Sequence, residues 1–260
     1  MPYIAVTALS HTGLMREHNE DSLVVGPWTL CGTVTDSPQT LLFPLDRPLL
    51  VAVADGLGGQ PGGEVASSLV VRRLAALGPA LDGAESVGEA LEMCNRAVYT
   101  AAEGRPELAT MGTTVAGTLV LPPESLLSFN VGDSKVFHVS GQDGRNGQDG
   151  QDALRQVSVD DSPPPAPGQR TTSAVTQTLG GSHVYEAVTP HVAEFPLVTG
   201  DRCLVCSDGL TDPVPEEDVE ALLRVHDDGK AAFELWKAAM EAGGPDNITL
   251  ALVRVGEAPG

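Results

Sequence analysis

Short apolar segments separated by turn residues dominate the chain. Tyr3 to Ser10 (YIAVTALS), Ser22 to Val25, Thr113 to Leu121, Ser125 to Val131, Lys135 to Ser140, Asp201 to Cys206 and Ile248 to Val255 carry the length and β-branched content of strands. Leu49 to Ala54 is apolar at every position, the pattern of a strand covered on both faces. Helical periodicity predicts a first helix from Glu64 to Leu77, with Ala66, Val70, Leu74 and Leu77 on one face and Gly78-Pro79 as the stop. A second is expected to begin at Ser86, where Ser86-Val-Gly-Glu89 has capping-box spacing, and to carry the stripe Val87, Leu91, Cys94, Val98 and Ala101. Two acidic amphipathic helices are expected at Glu216 to Val225 and Ala231 to Ala242. Residues 26–48, with four prolines, read as a loop holding a hairpin insertion. The run 141–152 (GQDGRNGQDGQD) reads as a flexible polar loop, and 160–170 (DDSPPPAPGQR) as a loop stiffened by proline.

The order is strands, helix pair, strands, helix pair, strand. A doubly wound parallel sheet would alternate strand and helix throughout. An α+β fold with two largely antiparallel sheets packed between helix layers fits better. A chain of 260 residues accommodates one such domain or two small ones, and neither an internal repeat nor a second domain is evident, so a single domain over 1–260 is expected.

Composition narrows the function classes. Aromatics are only 4% of residues, so the core must be built from Val, Leu and Ala. The formal charge of −20 disfavours nucleic acid and anionic membrane surfaces, which need basic partners. No leader and no apolar run of spanning length is present, which points to the cytoplasm. Cys203-x-x-Cys206 looks like half of a zinc ribbon, but no second pair exists and residues three apart on a strand face opposite ways, so they read as core thiols.

The chemistry-bearing residues share one local grammar. Asp55-Gly56 and Asp208-Gly209 each end an apolar strand, Asp133 follows Gly132 in a tight turn, Asp246-Asn247 precedes the last strand, and Glu20-Asp21 opens the second. An isolated Asp-Gly is an ordinary turn. If the strand ends gather on one edge, however, the carboxylates converge, and converging carboxylates call for raised pKa values or divalent cations. All-oxygen donors suit Mg²⁺ or Mn²⁺. The glycine run after Asp55 is no dinucleotide fingerprint, because Pro61 takes the third glycine's place and Asp55 would repel a pyrophosphate; nor does a Gly-Lys-Ser/Thr follow, as a P-loop requires.

Taken together, Arg16-Glu-His-Asn-Glu20-Asp21, Val53-Ala-Asp55-Gly-Leu-Gly-Gly59, Gly62-Gly-Glu64, Met111-Gly-Thr-Thr114, Asn130-Val-Gly-Asp133-Ser134, Ser207-Asp208-Gly-Leu-Thr-Asp212 and Pro245-Asp246-Asn247-Ile-Thr249 resemble, in order and over nearly the whole chain, the metal-dependent type 2C (PPM) protein serine/threonine phosphatase family, in its bacterial form. The resemblance implies a four-layer α-β-β-α sandwich with metals in a cleft at one edge. It implies that Asp55 bridges two Mn²⁺ or Mg²⁺ ions, that the Gly56 carbonyl, Asp208 and Asp246 complete the direct ligands, and that Glu20 and Asp21 hold metal-bound waters. Asp133 would hold, with Asp208, a weaker third ion, and Ser173 would lie near it. Arg16 matches the phosphate clamp. A metal-activated water would attack phosphorus without a phosphoenzyme. The implied partners are phosphoproteins, including a serine/threonine kinase, acted on by a monomer.

Two departures stand out. Many members carry a histidine shortly after the Asp-Gly, a proton donor to the leaving group; here those positions are Leu57 and Gln60. The flap expected at about 153–185 is proline-rich. Two other readings stay open: a metal-dependent phosphatase for a small molecule or a regulatory partner other than a kinase, and a catalytically silent binding or sensing relative, which would lack a metal ligand.

Overall fold

The computed structural model describes residues 2–59, 61–122, 125–139, 154–168, 170–196 and 198–257; Gln60 and the loop expected at 141–152 lie outside the described residues. In chain order the strands and helices are β1 (Pro2–His11), β2 (Ser22–Val25), β3 (Trp28–Cys31), β4 (Gln39–Pro44), β5 (Leu49–Ala54), β6 (Gly56–Leu57), α1 (Gly62–Leu77) and α2 (Ala84–Ala102). There follow β7 (Gly112–Thr113), β8 (Val115–Leu121), β9 (Ser125–Val131), β10 (Lys135–Val139), β11 (Leu154–Gln156), β12 (Leu179–Gly180), β13 (His191–Pro196) and β14 (Arg202–Cys206). The chain then forms α3 (Asp208–Thr211), α4 (Glu216–Val225), α5 (Asp228–Glu241) and β15 (Ile248–Glu257).

Two six-stranded antiparallel sheets carry the fold, in the orders β11-β10-β14-β15-β1-β4 and β13-β9-β8-β5-β2-β3. The period of two along each strand decides which layer a side chain joins. On β5, Leu49, Val51 and Val53 fill the space between the sheets with Ile4, Val6, Val205 and Val253, while Leu50, Ala52 and Ala54 meet α1 and α2 through Val70, Leu74 and Leu91. On the other outer face, Leu204, Leu250 and Leu252 pack against Leu223 of α4 and Leu235 of α5. This is the expected four-layer α-β-β-α sandwich. The same alternation separates Cys203, between the sheets, from Cys206, under the helices; both are free thiols.

Register places the functional strand ends together. Ala54 lies opposite Ser22, Val53 opposite Ala116, and Val115 opposite Val131 in one sheet. In the other, Lys135 lies opposite Cys206, Cys206 opposite Leu250, and Ile248 opposite His11. The segments that bear Asp21, Asp55, Asp133, Asp208 and Asp246 therefore all leave the sandwich at one edge.

Four expectations need correction. Residues 26–48 hold two strands, and these go to different sheets: β3 pairs with β2 and β4 with β1. The run 113–121 is not one strand, because it switches at Thr114 from the small sheet β12-β7-β6 to the main sheet. Helix α2 begins two residues before Ser86, whose hydroxyl reaches back to accept from the Gly83 amide at 3.1 Å instead of capping from outside. Strand β13 was not expected; it is a half-exposed edge strand with no apolar run.

Candidate metal centre

The cleft at that edge is built on Asp55. Its backbone is fixed by the Met111–Thr114 motif: Thr113 Oγ1 donates to the Asp55 carbonyl at 2.7 Å, the Thr114 amide donates to the same oxygen at 2.9 Å, and Thr114 Oγ1 accepts from the Asp55 amide at 3.2 Å. Gly56 then passes against α1 so closely that a Cβ would stand 2.4 Å from the Gly63 carbonyl oxygen. The turn after it uses Gly58 at φ +105° and Gly59 at φ +68°, which a side chain would strain.

The remaining candidates come from other strand ends. Glu20 Oε2 lies against Gly63 at the start of α1, where a Cβ would be 2.1 Å away. Asp208 opens α3, and Gly209 lets that turn touch β15: a Cβ there would fall 1.9 Å from the Asn247 carbonyl oxygen. Arg16 Nη2 donates to Asp246 Oδ2 at 2.6 Å. A cleft of about 300 Å³ is lined by Arg16, Glu20, Asp55, Gly56, Asp208 and Asp246, and also by Asp133 and Ser173. Asp21 alone of the expected set does not line it. The residue is 1% exposed, and its Oδ2 accepts from Ser207 Oγ at 2.8 Å.

Electrostatics show the strain of this gathering. Burial, and then the charges of Asp21, Asp208 and Asp246, hold the Asp55 carboxyl well above its ordinary range. Burial pushes Asp208 up to about 8, helped by Asp133, Asp212 and Asp246. Burial is the main cause that raises Asp133 to about 6, with Asp212 and Asp160 adding to it. Asp21 Oδ1 and Asp208 Oδ1 are buried and have no hydrogen-bond partner among the described residues. Acceptor-only oxygens, crowded and unsatisfied, are what a hard divalent cation would relieve. The donor set therefore fits Mn²⁺ or Mg²⁺. Among the described residues no three His, Cys, Asp or Glu side chains already close on one point as a finished ligand cage.

Sequence reasoning missed the residue that secures the loop carrying Arg16 and Glu20. Asn247 Nδ2 donates to the carbonyls of Thr12 and His18, both at 2.9 Å, and its Oδ1 accepts from the Glu20 amide at 2.8 Å. The Asp246-Asn247 pairing in the motif was its only signal. His18 exposes its side chain and lines the cleft, while its carbonyl accepts from Asn247. Leu57 also lines the cleft.

The family model described as protein phosphatase 2C matches residues 43–238. Over 255 residues the chain is 32% identical to the serine/threonine protein phosphatase PstP of Mycobacterium tuberculosis, covering 95% of this chain and 44% of that one. It is 31% identical over 256 residues to the serine/threonine phosphatase stp of Listeria monocytogenes, covering 93% and 92%. The chain thus spans less than half of the mycobacterial protein and nearly all of the listerial one. The crystal structure of the PstP catalytic domain in complex with two manganese ions superposes with a TM-score of 0.73 at 28% identity, covering 99% of this chain and 100% of that one.

Proposed function

The chain belongs to the protein phosphatase 2C family, and from that membership we propose that it hydrolyses phosphoserine and phosphothreonine in proteins, with two Mn²⁺ or Mg²⁺ ions held at the cleft. The observation that carries this reading is the convergence of Asp55, Asp208 and Asp246 around a cleft that also holds Arg16, with Asp208 Oδ1 buried and unsatisfied.

Asp55, the Gly56 carbonyl, Asp208 and Asp246 hold the ions, and Glu20 orients water beside them. Asp133 with Asp208 serves a weaker third ion, with Ser173 at its rim. Bound there, the ions supply Lewis-acid activation of water and neutralise phosphate charge. Arg16 exchanges its bond to Asp246 for two phosphate oxygens, which its planar fork suits. Asp21, buried behind Asp55 and bonded to Ser207, acts as a positioning residue. Leu57 has no proton to give, so water in the cleft protonates the leaving serine or threonine oxygen.

The ligands span Glu20 to Asp246, which supports a single catalytic domain over 1–260 with its flap at 153–185. Among the described residues no helix is long and apolar enough to cross a membrane. A cytoplasmic monomer opposed to a serine/threonine kinase completes the proposal; the free thiols Cys94, Cys203 and Cys206, each pushed up to about 12 by burial, suit a reducing compartment. The test is phosphate release from phosphothreonine peptides. Release that requires Mn²⁺, stops with chelator and is lost in Asp208→Ala supports the reading; release indifferent to all three refutes it.

A further inference from the structure

A second and larger cleft, of about 660 Å³, opens beside the metal centre and shares Asp133 and Asp208 with it. Ser162, Pro163, Pro165 and Arg170 of the proline-rich segment line it, together with Pro215, Glu216 and Glu217 at the start of α4. Its charge is one-sided. Lys135 is spent on Asp160, which also accepts from Gln156 Nε2 at 2.6 Å. Arg170 lies within electrostatic reach of Asp212. Glu216 and Glu217 are exposed, and among the described residues no cation pairs with either. Acidic residues in a first turn also complement the helix dipole, but that role asks nothing of their facing a cleft. A second feature points to a ligand: Thr211, 6% exposed, lines the cleft, and its buried hydroxyl has no partner among the described residues.

We propose that this cleft is the specificity subsite for the peptide around the phosphorylated residue, and that it selects substrates with Lys or Arg next to the phosphoserine or phosphothreonine. The inference rests on the phosphatase reading and adds to it the chemistry of the flanking sequence. With the phosphate at Arg16 and the ions, the neighbouring residues of an extended peptide reach across Asp133 and Asp208 into the cleft, since each extended residue advances about 3.3 Å. Glu216, Glu217 and the carboxylate of Asp212 meet their cations there. Cations held at an exposed acidic rim act mainly on capture and are weakened by salt.

The experiment compares phosphothreonine peptides flanked by Arg, by Ala and by Glu, with p-nitrophenyl phosphate as a substrate that has no flanking residues. All are assayed with Mn²⁺ on the wild type, on Glu216→Gln/Glu217→Gln, and on Glu85→Gln/Glu89→Gln of α2, a control for the overall negative charge. Fluorescence anisotropy of the labelled peptides gives a readout independent of turnover. The wild type is expected to favour the Arg-flanked peptide, and the α4 variant to lose roughly three- to tenfold in kcat/KM for it through KM. That loss should shrink in high salt and be absent for p-nitrophenyl phosphate and in the α2 control. Equal binding and turnover of the three peptides, a preference that survives the α4 substitutions, or an equal loss in the α2 control each overturns the proposal. No hydrolysis of p-nitrophenyl phosphate by the wild type, with Arg-selective binding intact, would instead strike the phosphatase reading and leave the subsite standing.

Discussion

The carboxyl of Asp208 illustrates how single residues here trade stability for function. Unfolded aspartates ionise near pH 4, whereas the folded chain holds Asp133 at about 6, Asp208 at about 8 and Asp55 well above its ordinary range, chiefly by burial. The folded state therefore binds these protons more tightly than the unfolded one. The stability this contributes is full below about pH 4 and is lost as pH rises, through about 6 for Asp133 and about 8 for Asp208. Without metal, Tm should fall across that window, and the rise in Tm on adding Mn²⁺ should be larger at pH 8 than at pH 5. Differential scanning fluorimetry at the two pH values checks this, and an equal rise would contradict it. Asp55→Asn removes one of the mutually repelling charges. It should lower turnover by roughly 10²- to 10³-fold or more, while raising the metal-free Tm at pH 8. A variant that loses both activity and metal-free stability would mean that Asp55 is a structural residue.

Among elements, the loop 12–20 depends on the turn that leads into β15 as much as on its own sequence, because Asn247 binds it at three points. Asn247→Ala leaves a buried amide and two carbonyls without their partner, so it should cost about 1–3 kcal/mol of stability. It should also raise KM for phosphopeptide more than it lowers kcat, because Arg16 loses its support. Denaturant unfolding and steady-state kinetics separate the two effects. Gly209→Ala would drive a methyl to 1.9 Å from the Asn247 carbonyl oxygen, pushing α3 and Asp208 off β15; a loss of Mn²⁺ affinity with the fold retained, read by calorimetry and circular dichroism, is the expected result. The flap root is held in the same manner. Asp161 Oδ2 accepts from the Gly132 amide and from Gln177 Nε2, both at 2.9 Å, and its Oδ1 bonds His191 Nε2 at 2.8 Å. These ties were invisible in the sequence because each joins residues far apart in the chain with no periodic signature. What the sequence made legible was the covered strand: β5, β8, β9, β14 and β15 are buried on both faces along most of their length, and the expected bounds fall within about a residue or two of their ends, apart from the break at Thr114. The strands it hid or blurred, β3, β4, β11 and β13, are the outermost strands of the two sheets. An edge strand has one unpaired side and an open face, so neither an apolar run nor strict alternation marks it.

For the whole molecule, the sandwich acts as a device for bringing strand ends to one edge. Residues separated by more than 200 positions, Glu20 and Asp246 among them, share a cleft because β1 lies beside β15 and β2 beside β5. The candidate site was legible because its residues sit in short motifs at strand termini. Asp21 is the exception: a motif gives order but not depth, and the residue proved to lie under the floor. The overall charge of −20 gains a local meaning as well, since part of it is gathered at an edge where carboxylates are crowded and, among the described residues, Asp208 Oδ1 is buried without a partner. The most direct test of the central claim is a single titration, with Mn²⁺ added to chelator-stripped protein while bound metal and phosphate release from a phosphothreonine peptide are followed together. The expected result is activity that rises from nothing as two ions bind per chain and that is absent in Asp208→Ala. Full hydrolysis before any metal binds, or undiminished hydrolysis in Asp208→Ala, would contradict it.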